Sequence, residues 1–284
     1  MPFALIEDAK GDPRNAQALA VASDLAYFAE AEGAAGFRAE LGLDARLISV
    51  GNTQVYVATS GEHIVAAFRG TEAPTSIEGL KDWLLTDAAN LLIVPEGRLG
   101  TDLAAAGVGA RFHQGFVTAI GDIWEPLFAA VDAERKQSDR PIWITGHSLG
   151  GALAFLAAWL FRRKFVNVHQ VYTFGAPMIG NELAIAALDR EYSGKIFRCV
   201  NRPDPVPKLP TVSLIANHYL HCQKEMALDT DSGAGDFFSQ FASQALEGVL
   251  HGTLIDDIWK AVIARVDAHS MTNYRSLITR LFEK

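Results

Sequence analysis

The chain has 284 residues, 49% of them hydrophobic and 20% charged, enough apolar material for a large buried core in one long α/β domain. A formal net charge of −8, with 25 Lys and Arg scattered along the chain, excludes the basic footprint of a nucleic-acid binder. Two cysteines, Cys199 and Cys222, are too few for a disulfide framework and read as buried free thiols in strand-like segments.

The opening MPFALIEDAK has no basic stretch followed by an apolar run, so the expectation is a protein that stays inside the cell or one whose leader has been removed. Asp12-Pro13 then predicts a helix start, Asp as cap and Pro at the first helical position, with Leu19, Ala22, Leu25 and Ala29 at helical spacing. From Arg46 the pattern changes to the short β-rich runs RLISV, QVYVA and HIVAAF. Gly51-Asn52 and Ser60-Gly61 separate them, which predicts hairpin strands. Between Gly70 and Phe112 periodicity is poor, and Pro and Gly mixed with apolar residues predict long loops of the kind that carry function.

Downstream, the pattern predicts helix 116–133, strand 141–145, helix 149–164, strand 168–174, helix 181–191 and strand 196–200. This alternation implies an α/β fold with a mainly parallel central sheet flanked by helices. The longest apolar run, 152–161, is about half of what a spanning helix needs and ends in Arg162, Arg163 and Lys164, so it reads as a buried helix and no transmembrane segment is expected. Residues 219–222 predict a last edge strand, and 237–250, 254–266 and 270–282 predict helices. No internal repeat or low-complexity tract is visible, and 1–284 reads as a single domain.

The chemistry centres on IWITGHSLGG at 142–151: a buried strand, then G-x-S-x-G, then a helix. Gly146 and Gly150 remove side chains that would block a sharp strand-to-helix turn, and that turn lifts the Ser148 hydroxyl above the sheet as a nucleophile. The competing reading is a glycine-rich turn whose serine merely caps the helix. The Leu149 N–H, at the positive end of the helix dipole, is placed to receive an oxyanion.

In a sheet of this kind the acid and then the histidine follow the serine, which sets aside His63, His113 and His147 and leaves His218, His221, His251 and His269. His218 and His221 flank or lie in a strand-like run, and His251 lies inside a helical stretch. His269, in DAHSMTNY, falls between two predicted helices, where a loop residue can reach the serine. Asp204, in VNRPDPVPKLP, comes just after strand 196–200, and Pro203, Pro205 and Pro207 stiffen the backbone that aims its carboxylate. Asp267, two residues before His269, is the rival acid.

Taken together these residues resemble the class 3 lipase family, whose best-known members are secreted fungal triacylglycerol lipases. Four blocks match in order: IVAAFRGT (64–71), RFHQGF (111–116), ITGHSLGGALA (144–154) with VYTFGAPMIGN (171–181), and VNRPDPVPKLP (200–210), with HSMTNY (269–274) as a weaker fifth. The resemblance implies an α/β-hydrolase fold with Ser148 as nucleophile, Asp204 as acid and His269 as base. It also implies that the Thr71 backbone N–H joins that of Leu149 in an oxyanion hole, although 68–71 read by itself is an ordinary strand end. Arg69 is expected to pair with a carboxylate such as Asp87.

The family's lid follows the FRGT block, which places it at 72–85, with Ile77, Leu80, Trp83, Leu84 and Leu85 as acyl-facing candidates. The alternative is a surface helix with a core face. Trp83, Leu84, Leu85 and His147 are the candidate substrate-binding residues. Departures from the fungal pattern are a longer 72–110 region, no secretory leader with disulfides, and a helical insertion at 229–266, which bear on substrate preference. Within that insertion DTDSGAGDF starts like a calcium loop, but Gly233 and Gln240 stand where carboxylates are needed, so it reads as a solvated loop. Phe237, Phe238 and Phe241 are either a second cover over the acyl site or ordinary core.

The implied activity is hydrolysis of acylglycerol esters through an acyl-enzyme, with transient contact to a lipid interface and no metal or organic cofactor. An esterase or phospholipase with another preferred ester is the alternative within the same chemistry. A silent, ligand-binding homologue is the alternative outside it.

Overall fold

The computed structural model describes residues 2–71, 92–93, 99–209, 219–223, 225–228, 260 and 263–282. Asp12 opens the first helix, α1 (Pro13–Leu25), by accepting the Arg14 N–H, with Pro13 where a missing N–H costs nothing. Helix α2 (Glu30–Gly36) and a π-helical turn (Phe37–Leu41) lead into the antiparallel strands β1 (Asp44–Val50), β2 (Thr53–Thr59) and β3 (Ile64–Phe68).

The alternating part follows: β4 (Leu92–Ile93), α3 (Gly100–Ala104), β5 (Phe112–His113), α4 (Gln114–Gln137), β6 (Ile142–His147), α5 (Leu149–Arg163), β7 (Val168–Phe174), β8 (Gly180–Asn181), α6 (Glu182–Glu191) and β9 (Ile196–Val200). Strands β10 (Tyr219–Leu220) and β11 (Glu225–Ala227) and helices α7 (Val266–His269) and α8 (Met271–Arg280) complete the described chain.

The main sheet has seven strands in the order β1-β2-β3-β6-β7-β9-β11, and every pairing from β3 onward is parallel. Its two faces follow from strand alternation. Ile64, Ala66 and Phe68 of β3 pack with α4 and α5, while Val65 and Ala67 pack with α1 and α8. The same split recurs on β6, where Ile142 and Ile144 face one layer and Trp143 the other.

Helix α5 is buried from Leu149 to Phe161 because protein covers it beyond its sheet face as well. Helix α4 lies along it, and α3 crosses it, held by Trp159 Nε1 donating to the Asp102 carbonyl at 2.8 Å and by the Lys164–Asp102 ion pair at 2.8 Å. The apolar run is therefore a core helix, and no helix among the described residues is long and apolar enough to cross a membrane.

One element differs from expectation. Residues 219–222 do not edge the main sheet. Tyr219 and Leu220 pair with Asn181 and Gly180 in a second, four-stranded sheet of order β10-β8-β5-β4, and the outer place beside β9 goes to β11. The cause is Arg198 on β9, a buried cation whose Nε donates to the Cys222 carbonyl at 2.7 Å, while Gln223 reverses the chain at φ 54°. Among the described residues, pairing beside β9 begins at Glu225. Cys199 and Cys222 are both buried and free. The lid candidate 72–85, with Trp83, Leu84 and Leu85, lies outside the described residues, as do His218, His251 and Phe237, Phe238 and Phe241. Of the expected insertion only 260 and 263–266 are described.

Candidate active site

Ser148 stands between β6 and α5 with φ 56° and ψ −130°, a conformation that non-glycine residues seldom adopt and that a sharp nucleophile turn demands. Its side chain makes no cap hydrogen bond, which removes the reading of Ser148 as a simple helix cap. The turn is clamped by its own backbone: the Ser148 N–H donates to the Phe174 carbonyl at 2.9 Å, and Gly151 N–H donates to the Ser148 carbonyl at 2.9 Å.

The flanking glycines are required by close approach. A Cβ on Gly146 would collide with the backbone of Gly150, and a Cβ on Gly150 would collide with the Phe68 carbonyl. The end of β3 therefore packs backbone to backbone on the turn, bringing the segment that leads to Thr71 beside the start of α5, where Leu149 is the first helical residue. Arg69 donates to the Asn52 carbonyl at 2.9 Å, and Asp87, its expected partner, lies outside the described residues.

Asp204 follows β9 and is wholly buried. Its Oδ2 accepts from His269 Nδ1 at 2.8 Å and from the Tyr274 hydroxyl at 2.7 Å, and its Oδ1 accepts the Val206 N–H at 2.9 Å. Burial, then the negative charge of Asp204, pushes the Tyr274 phenol well above its ordinary value, so it stays a donor. Asn201 ties the two loops together, its side-chain amide donating to the Ala268 carbonyl at 2.8 Å and its N–H to the Tyr274 oxygen at 3.2 Å. Asp267, the rival acid, is exposed.

His269 ends α7, and Ser270 caps α8 by accepting the Asn273 N–H. Because a carboxylate can only accept, His269 Nδ1 is the donor to Asp204, and in the neutral imidazole that tautomer leaves the lone pair on Nε2. Ser148 Oγ and His269 Nε2 are both buried, and neither has a hydrogen-bond partner among the described residues.

His147, one of the candidate substrate-binding residues, lies inside the protein. It is buried with both ring nitrogens engaged, Nδ1 to the Tyr27 hydroxyl at 2.7 Å and Nε2 to the His269 carbonyl at 2.6 Å, so no ring donor or acceptor is left for a substrate. Burial, then the positive potential of His269, holds its basicity well below the usual imidazole range. His221 is half-buried, with its Nε2 hydrogen-bonded to the Pro207 carbonyl.

Residues 65–214, more than half of the chain, match the family described as Lipase (class 3). The chain belongs to the class 3 lipase family. Over 134 residues this class 3 lipase chain is 34% identical to a secreted mono- and diacylglycerol lipase of Fusarium solani, covering 47% of itself and 38% of that protein. Over 160 residues it is 32% identical to a chloroplastic phospholipase A(1) of Arabidopsis thaliana, covering 53% of itself and 34% of the relative. It thus spans well under half the length of these two relatives.

The fold is that of the Rhizomucor miehei triacylglyceride lipase, with a TM-score of 0.58 and 25% identity over 79% of this chain and 83% of that one. A lipase of Yarrowia lipolytica shares it too, with a TM-score of 0.60 and 20% identity over 80% and 84% of the two chains. The α/β-hydrolase architecture expected from the sequence is the one observed.

Tyr274, Asn201 and Tyr27 were not singled out by the sequence reading. The side chains and carbonyls they bond lie far along the chain, as Asp204 does from Tyr274, and nothing in the local pattern marks them.

Proposed function

We propose that this class 3 lipase chain is a serine carboxylic ester hydrolase acting on acylglycerol esters, with Ser148, His269 and Asp204 as its triad. The observation that carries the reading is Ser148 on its strained turn with an Oγ unpaired among the described residues, together with a His269 Nε2 likewise unpaired whose other nitrogen is fixed by Asp204. His269 Nε2 takes the Ser148 proton as Oγ bonds to the ester carbonyl carbon. The carbonyl electron pair moves to oxygen, where the Leu149 and Thr71 N–H groups stabilise it. Collapse breaks the ester C–O bond, and His269 returns the proton to the leaving alcohol. Water, deprotonated by the same nitrogen, then releases the acid and restores Ser148. Asp204 keeps the imidazole in one tautomer and stabilises its cation.

Every group in this cycle belongs to the chain. The resemblance to a phospholipase A(1) supports a second reading, in which the ester belongs to a glycerophospholipid.

The test is hydrolysis of a p-nitrophenyl ester series from short to long acyl chains, with triacylglycerol and phospholipid emulsions in parallel, by wild type and Ser148→Ala. Long-chain and acylglycerol cleavage that vanishes in the variant is the expected result. Cleavage of short soluble esters alone would reduce the reading to an esterase, and preference for the phospholipid would favour the second reading.

A further inference from the structure

Three segments distant in sequence meet at His147. Tyr27 lies in the turn after α1, and its hydroxyl packs against Gly70, one residue before Thr71. A Cβ on Gly70 would collide with that same hydroxyl. The Tyr27 hydroxyl is 2.7 Å from His147 Nδ1, and His147 Nε2 is 2.6 Å from the main-chain carbonyl of His269. A carbonyl only accepts, so Nε2 carries the proton and Nδ1 accepts from Tyr27. The proton order is thereby fixed from the Tyr27 phenol through the imidazole to the His269 carbonyl.

The rings reinforce the path. His147 lies over His269 at 4.5 Å between centroids with 34° between planes, and meets Tyr274 edge-on at 5.9 Å and 65°. A core histidine with an ordinary packing role would need satisfied nitrogens, but its bonds need not run to these two places. Here one runs to the hydroxyl packed against the segment that leads to Thr71, and the other to the residue that presents the base.

We propose that Tyr27 and His147 are positioning residues of the hydrolase centre: their bonded pair sets the spacing between the oxyanion segment and the histidine segment on either side of Ser148. The inference rests on the function proposed above. Neither residue acts on the ester itself. Each holds main chain whose displacement by a fraction of an ångström weakens proton transfer and oxyanion binding in the transition state while leaving ground-state binding alone.

The test is steady-state hydrolysis of p-nitrophenyl butyrate by wild type, Ser148→Ala, Tyr27→Phe, His147→Phe, His147→Gln and the double variant Tyr27→Phe/His147→Phe, with the melting temperature of each. Tyr27→Phe, which removes one oxygen and keeps the ring, is expected to lower kcat about tenfold or more with KM changed by less than about twofold. The double variant should lose no more than His147→Phe alone, because both changes cut one path. His147→Gln, which keeps a donor and an acceptor, should recover part of the loss.

Unchanged kcat in Tyr27→Phe, or losses that multiply in the double variant, would overturn the assignment. So would losses that follow the melting temperature. If His147→Phe does not fold, the kcat and KM of Tyr27→Phe decide the matter. Wild type without Ser148-dependent turnover overturns the proposed function and the positioning role together, whereas turnover that Tyr27→Phe leaves intact overturns the positioning role alone.

Discussion

Gly175 shows how little room surrounds the candidate triad. It sits at φ 61°, and a Cβ there would lie 2.8 Å from Asp204 Oδ2, 3.0 Å from His269 Nδ1 and 3.0 Å from the Tyr274 oxygen. Gly175→Ala therefore adds backbone strain of about 1–2 kcal/mol and drives a methyl group into the Asp204–His269 hydrogen bond. The expected outcome is a loss in kcat of about a hundredfold with a folded protein, read from ester hydrolysis beside the circular-dichroism melting curve. Near-normal turnover would mean that the observed Asp204–His269 geometry is not the working one. Chain order and the prolines pointed to Asp204 and His269, which the structure brings within hydrogen-bond distance of each other. The part played by Gly175 was not legible, since a glycine in a sequence does not tell which side chains converge on it.

At the scale of elements, periodicity was most informative where burial is one-sided or complete. The alternation in β3 and the apolar run of α5 are direct images of their surroundings, with α5 enclosed by sheet, α4 and α3. It was least informative for the second sheet, whose strands have two residues each and so carry no period at all. Residues 219–222 illustrate the limit. Their apolar pattern is equally good for either sheet, and the choice is made by Gly180 and Asn181 opposite them and by Arg198 turning the chain away. Helix ends followed their chemistry more closely: Asp12, Asn181 and Ser270 each cap a helix by accepting a backbone N–H.

Over the whole molecule, buried neutral histidines make stability depend on pH. Burial, and then the nearby Arg198 cation, push His221 down to about 3, and burial holds His147 well below its usual range. In the unfolded chain both take up a proton near pH ~6.5 while the folded chain leaves them neutral, so the unfolded state binds more protons below that pH. Their contribution is complete above pH ~6.5 and is lost as pH falls, for His221 all the way toward about 3. Each histidine adds up to about 1.4 kcal/mol per pH unit in that window. Thermal unfolding should shift to lower temperature from pH 7 to 5, and His221→Gln should make the decline shallower. A melting temperature that stays flat or rises on acidification would contradict this.

The central claim, that Ser148 is the activated nucleophile, is tested most directly by covalent labelling. Intact wild type is treated with an alkyl phosphonate ester reagent, digested, and the site of modification located by mass spectrometry, with Ser148→Ala in parallel. The account predicts one phosphonate per chain, on the peptide holding Ser148, and none on the variant. Modification at another residue, or equal modification of Ser148→Ala, would contradict it.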